Sequence, residues 1–400
     1  MQPFPRLIFP ALKEALNDQR AIVITGMRRT GKTTSLRWLL EQIPSDNKIY
    51  LDLERLDQRA VFQESNYDLV LDFLRNRGLD VNRPMTAALD EIQYVPNLPS
   101  VVKYLHDTYA IKFLLTGSSS FYLKNYFTES LAGRKVVFEL FPLTFGEFLD
   151  FRGIPYRRRA GFAEMRFDPY EFERLKSLYE EYLLYGGLPD VVLETRPNAR
   201  LDLLNDVFSS YINMDVRALA DFQKIGELQQ LLRVLALRIG NKLDITKLAS
   251  TVGISRPTVM QYLDFLEMTY VIRRVPAYAG GDKPSALGRK LYFCDNGIAG
   301  ILARLSEGAL FENAVHNQLR GYGELSYLSK GNEYEIDFIL RQEHAANALP
   351  VALEAKYQPI LSDDQKLKRL AEKHGLSESW LVGKYPAPGF QDFVWAGLIF

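Results

Sequence analysis

Short apolar runs alternate with stretches of helical period through the first 150 residues. The runs span residues 21–25, 48–53, 86–90, 111–116 and 135–140, a pattern that predicts a wound α/β domain. After Asp150 the strand pattern stops. Residues 151–278 read as helices broken at Gly186-Gly187, Pro197 and Gly253. Short strands return at 291–294, 325–328, 334–340 and 350–356, followed by a helix-like stretch over 363–374. No fixed-period repeat or low-complexity segment interrupts them. The predicted division is an α/β core over 1–150, a helical connector over 151–228, a short module over 229–290 and a second α/β domain over 291–400.

Four hundred residues, 47% of them apolar and 24% charged, suit a globular protein of two to four domains. A single cysteine, Cys294, excludes a disulfide framework and a cysteine-based zinc site. No apolar run approaches 18 residues and the N-terminus lacks a signal-peptide layout, so a cytoplasmic protein without membrane association is predicted. Forty-nine basic and 49 acidic residues give zero net charge, which on its face disfavours a polyanionic partner. Locally it does not: residues 231–290 hold 10 Lys and Arg against 4 Asp and Glu.

The sharpest signal follows the first apolar run. Gly26, Met27, Arg28, Arg29, Thr30, Gly31, Lys32 and Thr33 fit G-x-x-x-x-G-K-[ST] and run into a helix-like stretch beginning with Thr34. Such a loop wraps phosphates with backbone N–H groups and adds the positive end of a helix. Lys32 reaches the β and γ oxygens, and Thr33 ligates Mg²⁺. ATP and Mg²⁺ are therefore the expected substrate and cofactor, with residues 26–34 as the nucleotide contacts. Arg28 and Arg29 face either the nucleotide or a neighbouring subunit.

The run over 86–90 ends in Asp90-Glu91. Asp90 is expected to hold Mg²⁺ through water, and Glu91 to orient and activate the attacking water. The next run ends in Thr116-Gly117-Ser118-Ser119-Ser120, where Ser118 or Ser119 either senses the γ-phosphate or caps a helix. Gly133-Arg134 precedes the last core strand, the place of an arginine finger in a ring-forming ATPase; the alternative is a helix C-cap cation.

These motifs, with 131–134 (L-A-G-R) and 141–148 (F-P-L-T-F-G-E-F), resemble a family of bacterial and archaeal AAA-type ATPases. Further matches are 185–189 (Y-G-G-L-P), 211–215 (Y-I-N-M-D) and 291–297 (L-Y-F-C-D-N-G). In that family the P-loop core is followed by helices, a winged helix and a poorly characterised C-terminal domain. The resemblance implies an oligomeric, ATP-driven machine or switch, with a hexameric ring as one form.

Residues 244–253 and 255–268 read as two helices joined by a Gly253-Ile254-Ser255 turn, with Asp244 and Ser255 as N-caps. Segments 270–277 and 287–293 would form a wing, making 229–290 a winged helix-turn-helix. The second helix would present Arg256, Thr258 and Gln261, with Arg273, Arg274, Lys283, Arg289 and Lys290 nearby, to DNA. Docking of protein partners is the other reading.

Two strands near the C-terminus carry Asp337 and, in Glu354-Ala-Lys356, a second carboxylate and a lysine; Glu312 lies on an upstream helix. Asp337 and Glu354 are candidate Mg²⁺ ligands and Lys356 would position a water, with Glu312 as a further ligand. The arrangement is similar to the PD-(D/E)-x-K restriction-endonuclease fold, although Ile336 stands where the motif's name has Pro. The whole chain is thus expected to couple Mg²⁺-dependent ATP hydrolysis to DNA binding and DNA cleavage. Two rivals remain: a regulatory switch binding protein partners without cutting, and a translocase whose nuclease-like domain only grips.

Overall fold

A computed structural model describes residues 3–118, 131–216, 225–278, 288–331, 333–342, 349–376 and 378–400. The chain packs into two compact units. One comprises Met1–Phe141, Ser210–Asp221 and Met268–Tyr270; the other comprises Pro142–Ser209, Phe222–Glu267 and Val271–Phe400.

The first unit is built on strands β1 (Ala21–Thr25), β2 (Lys48–Asp52), β3 (Thr86–Asp90), β4 (Lys112–Gly117) and β5 (Lys135–Glu139). They form one sheet in the order β2-β3-β4-β1-β5, and every pairing is parallel. Consecutive side chains of a strand point to opposite faces, and the core residues divide accordingly. Ala21, Val23, Ala87, Leu89, Phe113 and Leu115 pack on one face with Val70, Leu74, Val101 and Leu105 of the helices Asp68–Asn76 and Leu98–Tyr109. Ile22, Ile24, Ala88 and Leu114 pack on the other with Leu12, Leu36 and Leu39. Burial on both faces explains why these strands read as continuous apolar runs, and each fully buried Leu or Ile contributes about 1.5–3 kcal/mol. The parallel five-stranded sheet is the P-loop ATPase arrangement expected for the N-terminal part.

In the second unit, the helices Ile225–Ala236, Ile245–Val252 and Arg256–Met268 precede an antiparallel pair, β6 (Ile272–Val275) and β7 (Lys290–Phe293). Asp244 accepts from the Lys247 N–H at 3.0 Å and Ser255 from the Thr258 N–H at 3.2 Å, so both helix starts are capped. Strands β8 (Gly323–Lys330), β9 (Tyr334–Gln342), β10 (Val351–Lys356), β11 (Glu378–Gly383) and β12 (Val394–Trp395) form a mixed sheet in the order β12-β11-β10-β9-β8. β8, β9 and β10 pair antiparallel, whereas β10, β11 and β12 pair parallel. The helix Glu307–Leu319 precedes β8, and Leu361–Lys373 joins β10 to β11.

The motifs at 185–189 and 291–297 meet in this unit and pack. Buried Asp295 accepts from the Gly187 N–H at 2.8 Å and caps the helix Asn296–Leu302 through the Ile298 N–H at 3.0 Å. A β-carbon on Gly187 or Gly297 would lie 2.3 Å from the Leu143 carbonyl oxygen or 2.2 Å from that of Tyr185, so only glycine fits. Asn296 donates to the Leu183 and Leu310 carbonyls and accepts from Asn313.

Candidate functional site

The loop between β1 and the helix Lys32–Glu41 lies at the C-terminal edge of the parallel sheet. Gly26 has φ 153°, and a β-carbon there would lie 2.0 Å from the Leu140 carbonyl oxygen. Arg29 (φ 63°) and Gly31 (φ 94°) are left-handed. The helix that follows has no side-chain N-cap, so its first N–H groups face the loop for an anion to accept. Lys32 is 6% exposed, and its ammonium donates to the carbonyls of Gly26 (3.0 Å) and Met27 (2.8 Å). Burial pulls its pKa down, opposed by the carboxylates of Glu91, Asp215 and Asp90. Thr33 is half-buried and Thr34 exposed on the first turn. The loop is braced by Arg6, a buried side chain that the sequence did not single out. Its guanidinium donates to the Thr30 and Phe141 carbonyls, both at 2.8 Å.

Asp90 ends β3 and Glu91 follows it, with β4 between β3 and β1 in the sheet. Asp90 is 2% exposed. One oxygen accepts from the Thr116 hydroxyl and the Glu91 N–H, the other from the Tyr50 hydroxyl at 2.8 Å. A carboxylate so occupied suits a cation held through water, and Thr33 with Asp90 is an oxygen donor set of the kind Mg²⁺ takes. Glu91 has φ 55° and accepts from the Gln93 amide. Burial raises its pKa, with Lys32, Gln93 and Arg28 pulling it back. A half-buried carboxylate of raised proton affinity is suited to accept a proton from water.

Ser118 and Arg28 converge on Asp215, a residue noted in the sequence only as part of a motif. Asp215 is 2% exposed and sits on the π-helical turn Tyr211–Val216. One oxygen accepts from the Ser118 hydroxyl at 2.7 Å, the other from Nε of Arg28. No local spacing could announce this contact, because Arg28 and Asp215 are 187 residues apart. Ser119 lies outside the described residues. Arg134 is partly exposed and its Nε donates to Asp107 at 2.8 Å.

In the second unit the structure brings Glu312, Asp337, Glu354 and Lys356 into one cluster. The Asp337 N–H donates to Glu354 at 3.1 Å, the Ala355 N–H to Asp337 at 3.2 Å, and Lys356 pairs with Glu354 at 2.9 Å. At its centre lies Lys290, counted above among the exposed cations near the recognition helix. The structure corrects this: Lys290 is 1% exposed, and its ammonium lies 2.6 Å from Glu335, 3.0 Å from Asp337 and 3.8 Å from Glu312. Burial, then Asp337, raises the Glu312 and Glu354 carboxyls to about 7. Here the donors include cations: the Lys290 ammonium sits on one oxygen of Asp337 and the Lys356 ammonium on one oxygen of Glu354. Among the described residues no group of three or more His, Cys, Asp or Glu is placed to hold a metal, so these side chains as arranged do not fit Mg²⁺.

Of the candidate DNA contacts, Arg256 and Gln261 are exposed and Thr258 and Arg273 half-buried. Arg274 differs from the expectation of a free cation: its side chain is 10% exposed and pairs with Asp264 at 2.6 Å and with Glu267. Lys283 lies outside the described residues. No helix among the described residues is long and apolar enough to cross a membrane.

Residues 18–149 match the model of a family described as an AAA domain, and residues 176–309 match one described as a domain of unknown function. The chain is 29% identical over 337 residues to an uncharacterised protein of Methanocaldococcus jannaschii, covering 80% of this chain and 72% of that protein. It is 27% identical over 378 residues to an uncharacterised protein of Haemophilus influenzae, covering 91% and 89%. Among solved structures, a Walker-type ATPase of Pyrococcus abyssi shares the fold at 18% identity and a TM-score of 0.50, over 75% of this chain and 96% of that one. These findings support an AAA-type ATPase family for the N-terminal part.

Proposed function

We propose that this protein hydrolyses ATP at the loop of residues 26–34 and uses the cycle to switch DNA contacts made by its second unit. The observation that carries the reading is buried Lys32 on a glycine-hinged loop, in a unit where Asp90 ends, and Glu91 follows, the strand next but one to β1. On binding, the Lys32 ammonium exchanges the Gly26 and Met27 carbonyls for phosphate oxygens, while the helix N-terminus accepts the remaining charge. Mg²⁺, held by Thr33 and through water by Asp90, would offset phosphate charge. Glu91 orients a water toward the γ-phosphate and takes its proton. In a homo-oligomer such as a hexameric ring, Arg134 would leave Asp107 to stabilise transition-state charge in a neighbour's site. ATP binding and Mg²⁺-dependent phosphate release test this. Lys32→Ala should lose both, and wild-type protein that releases no phosphate would overturn it.

The capped helix pair and the β6–β7 strands support a winged helix, with exposed Arg256 and Gln261 facing the DNA. The succession helix, three strands, helix, strand from Glu307 to Gly383 supports a restriction-endonuclease-like domain. The Lys290 ammonium among its carboxylates favours a non-cleaving platform over a nuclease. A panel of linear, branched and single-stranded DNA with Mg²⁺ or Mn²⁺ decides: binding without cutting is expected. Nicking by wild type that Asp337→Ala or Lys356→Ala abolishes would restore the nuclease reading.

A further inference from the structure

The buried pair Arg28–Asp215 ties the phosphate loop to the turn Tyr211–Val216. Arg6 already braces the loop, and a buried ion pair roughly cancels its attraction against desolvation, so it contributes little net stability. Its placement is what distinguishes it. Arg28 lies on the phosphate-binding loop, and Ser118 follows β4, the strand beside β1. Asp215 holds both through different oxygens. The field of Asp215 also reaches Lys32. Asp215 is carried by a π-helical turn, a rare geometry that is frequent at functional sites. The Tyr211 hydroxyl, 2.9 Å from the Thr269 hydroxyl, fixes the start of that turn.

A triphosphate entering this loop brings several negative charges toward a buried carboxylate that holds two donors suited to phosphate oxygens. We propose that Asp215 is the positioning residue of the nucleotide site: it holds the Arg28 guanidinium and the Ser118 hydroxyl at the phosphate loop, and the terminal phosphate of bound ATP competes with it for both. The inference rests on the ATPase reading above and extends it by coupling nucleotide occupancy to the turn Tyr211–Val216.

The test is Asp215→Asn, which keeps the shape and an acceptor for Ser118 but removes the charge. Relief of repulsion should tighten ATP, lowering KM about three- to tenfold. Loss of the Arg28 orientation should lower kcat at least about tenfold. In an Arg28→Met background, Asp215→Asn should lower kcat no further. A folded Asp215→Asn protein with kcat and KM both within about twofold of wild type, or with raised KM and unchanged kcat, overturns the proposal. If Asp215→Asn does not fold, Arg28→Lys and Ser118→Ala must each lower kcat, and unchanged kcat in both overturns it equally. Binding of a fluorescent ATP analogue separates the two claims. If wild type turns over no ATP, tighter analogue binding by Asp215→Asn still supports the competition between phosphate and Asp215, and unchanged binding refutes it.

Discussion

Lys290→Met removes the most buried ammonium of the C-terminal carboxylate cluster while keeping most of the side chain's volume. At an effective dielectric of about 20, a charge pair 3 Å apart attracts by about 5 kcal/mol before desolvation is subtracted. Lys290 has two carboxylates within that range, at 2.6 and 3.0 Å, and a third at 3.8 Å. Desolvation of a side chain only 1% exposed cancels much of this attraction. Removing one partner is different: Glu335 keeps Lys242 at 3.2 Å, but the largely buried Asp337 and Glu312 lose this counter-charge, at a cost of about 3–5 kcal/mol. Trp380 and Trp395 both lie in this unit, so urea unfolding followed by tryptophan fluorescence reads it. The loss should be fully developed at pH 8. At pH 5.5, where Glu312 and Glu354 with pKa raised to about 7 carry protons, it should be smaller. A loss below about 1 kcal/mol at both pH values, the range of an exposed ion pair, would refute Lys290 as the buried counter-charge.

Other predictions use the same reasoning. Arg6→Ala leaves the Thr30 carbonyl of the loop and the Phe141 carbonyl without their charged donor, costing about 3 kcal/mol in urea unfolding and raising KM for ATP about fivefold or more as the competent loop population falls. In the wild type, Glu312 and Glu354 bind protons more tightly folded than unfolded, where 4.5 is the ordinary value. Their contribution is therefore fully present below pH 4.5 and is lost as the pH rises through about 7, a fall of a few kcal/mol. Unfolding free energies of the Glu312→Gln, Glu354→Gln double variant should lack that slope. Arg256→Ala should weaken DNA binding and reduce the slope of log K against log salt by about one; an unchanged slope places Arg256 outside the interface.

What the sequence made legible was chemistry whose residues are neighbours along the chain. The phosphate loop and the Asp90-Glu91 strand end each fit within about ten residues, the capped helix pair is one continuous segment from Asp244 to Met268, and the buried parallel strands announced themselves as apolar runs. Strands β11 and β12 were missed: the apolar stretch of β11 is only Trp380–Val382, and β12 takes two residues of an apolar run that continues into the turn Ala396–Leu398, so neither shows a period. Arg6, Asp215 and Lys290 were not legible as site residues, since each acts on groups that only folding brings near. Lys290 and Arg274 show the hazard of counting charge locally. Both swell the basic count of residues 231–290, yet both are neutralised by carboxylates. The cationic face left for a phosphate backbone is narrower than the count implies.

The central claim is that Glu91 activates water in a site where Lys32 and the loop bind ATP, and Glu91→Gln separates these two roles. A single-turnover experiment with Mg²⁺ and radiolabelled ATP, alongside an equilibrium binding measurement, is the most direct test. The account predicts that Glu91→Gln binds ATP with wild-type affinity and slows γ-phosphate release by at least about 100-fold. Release at the wild-type rate would contradict it.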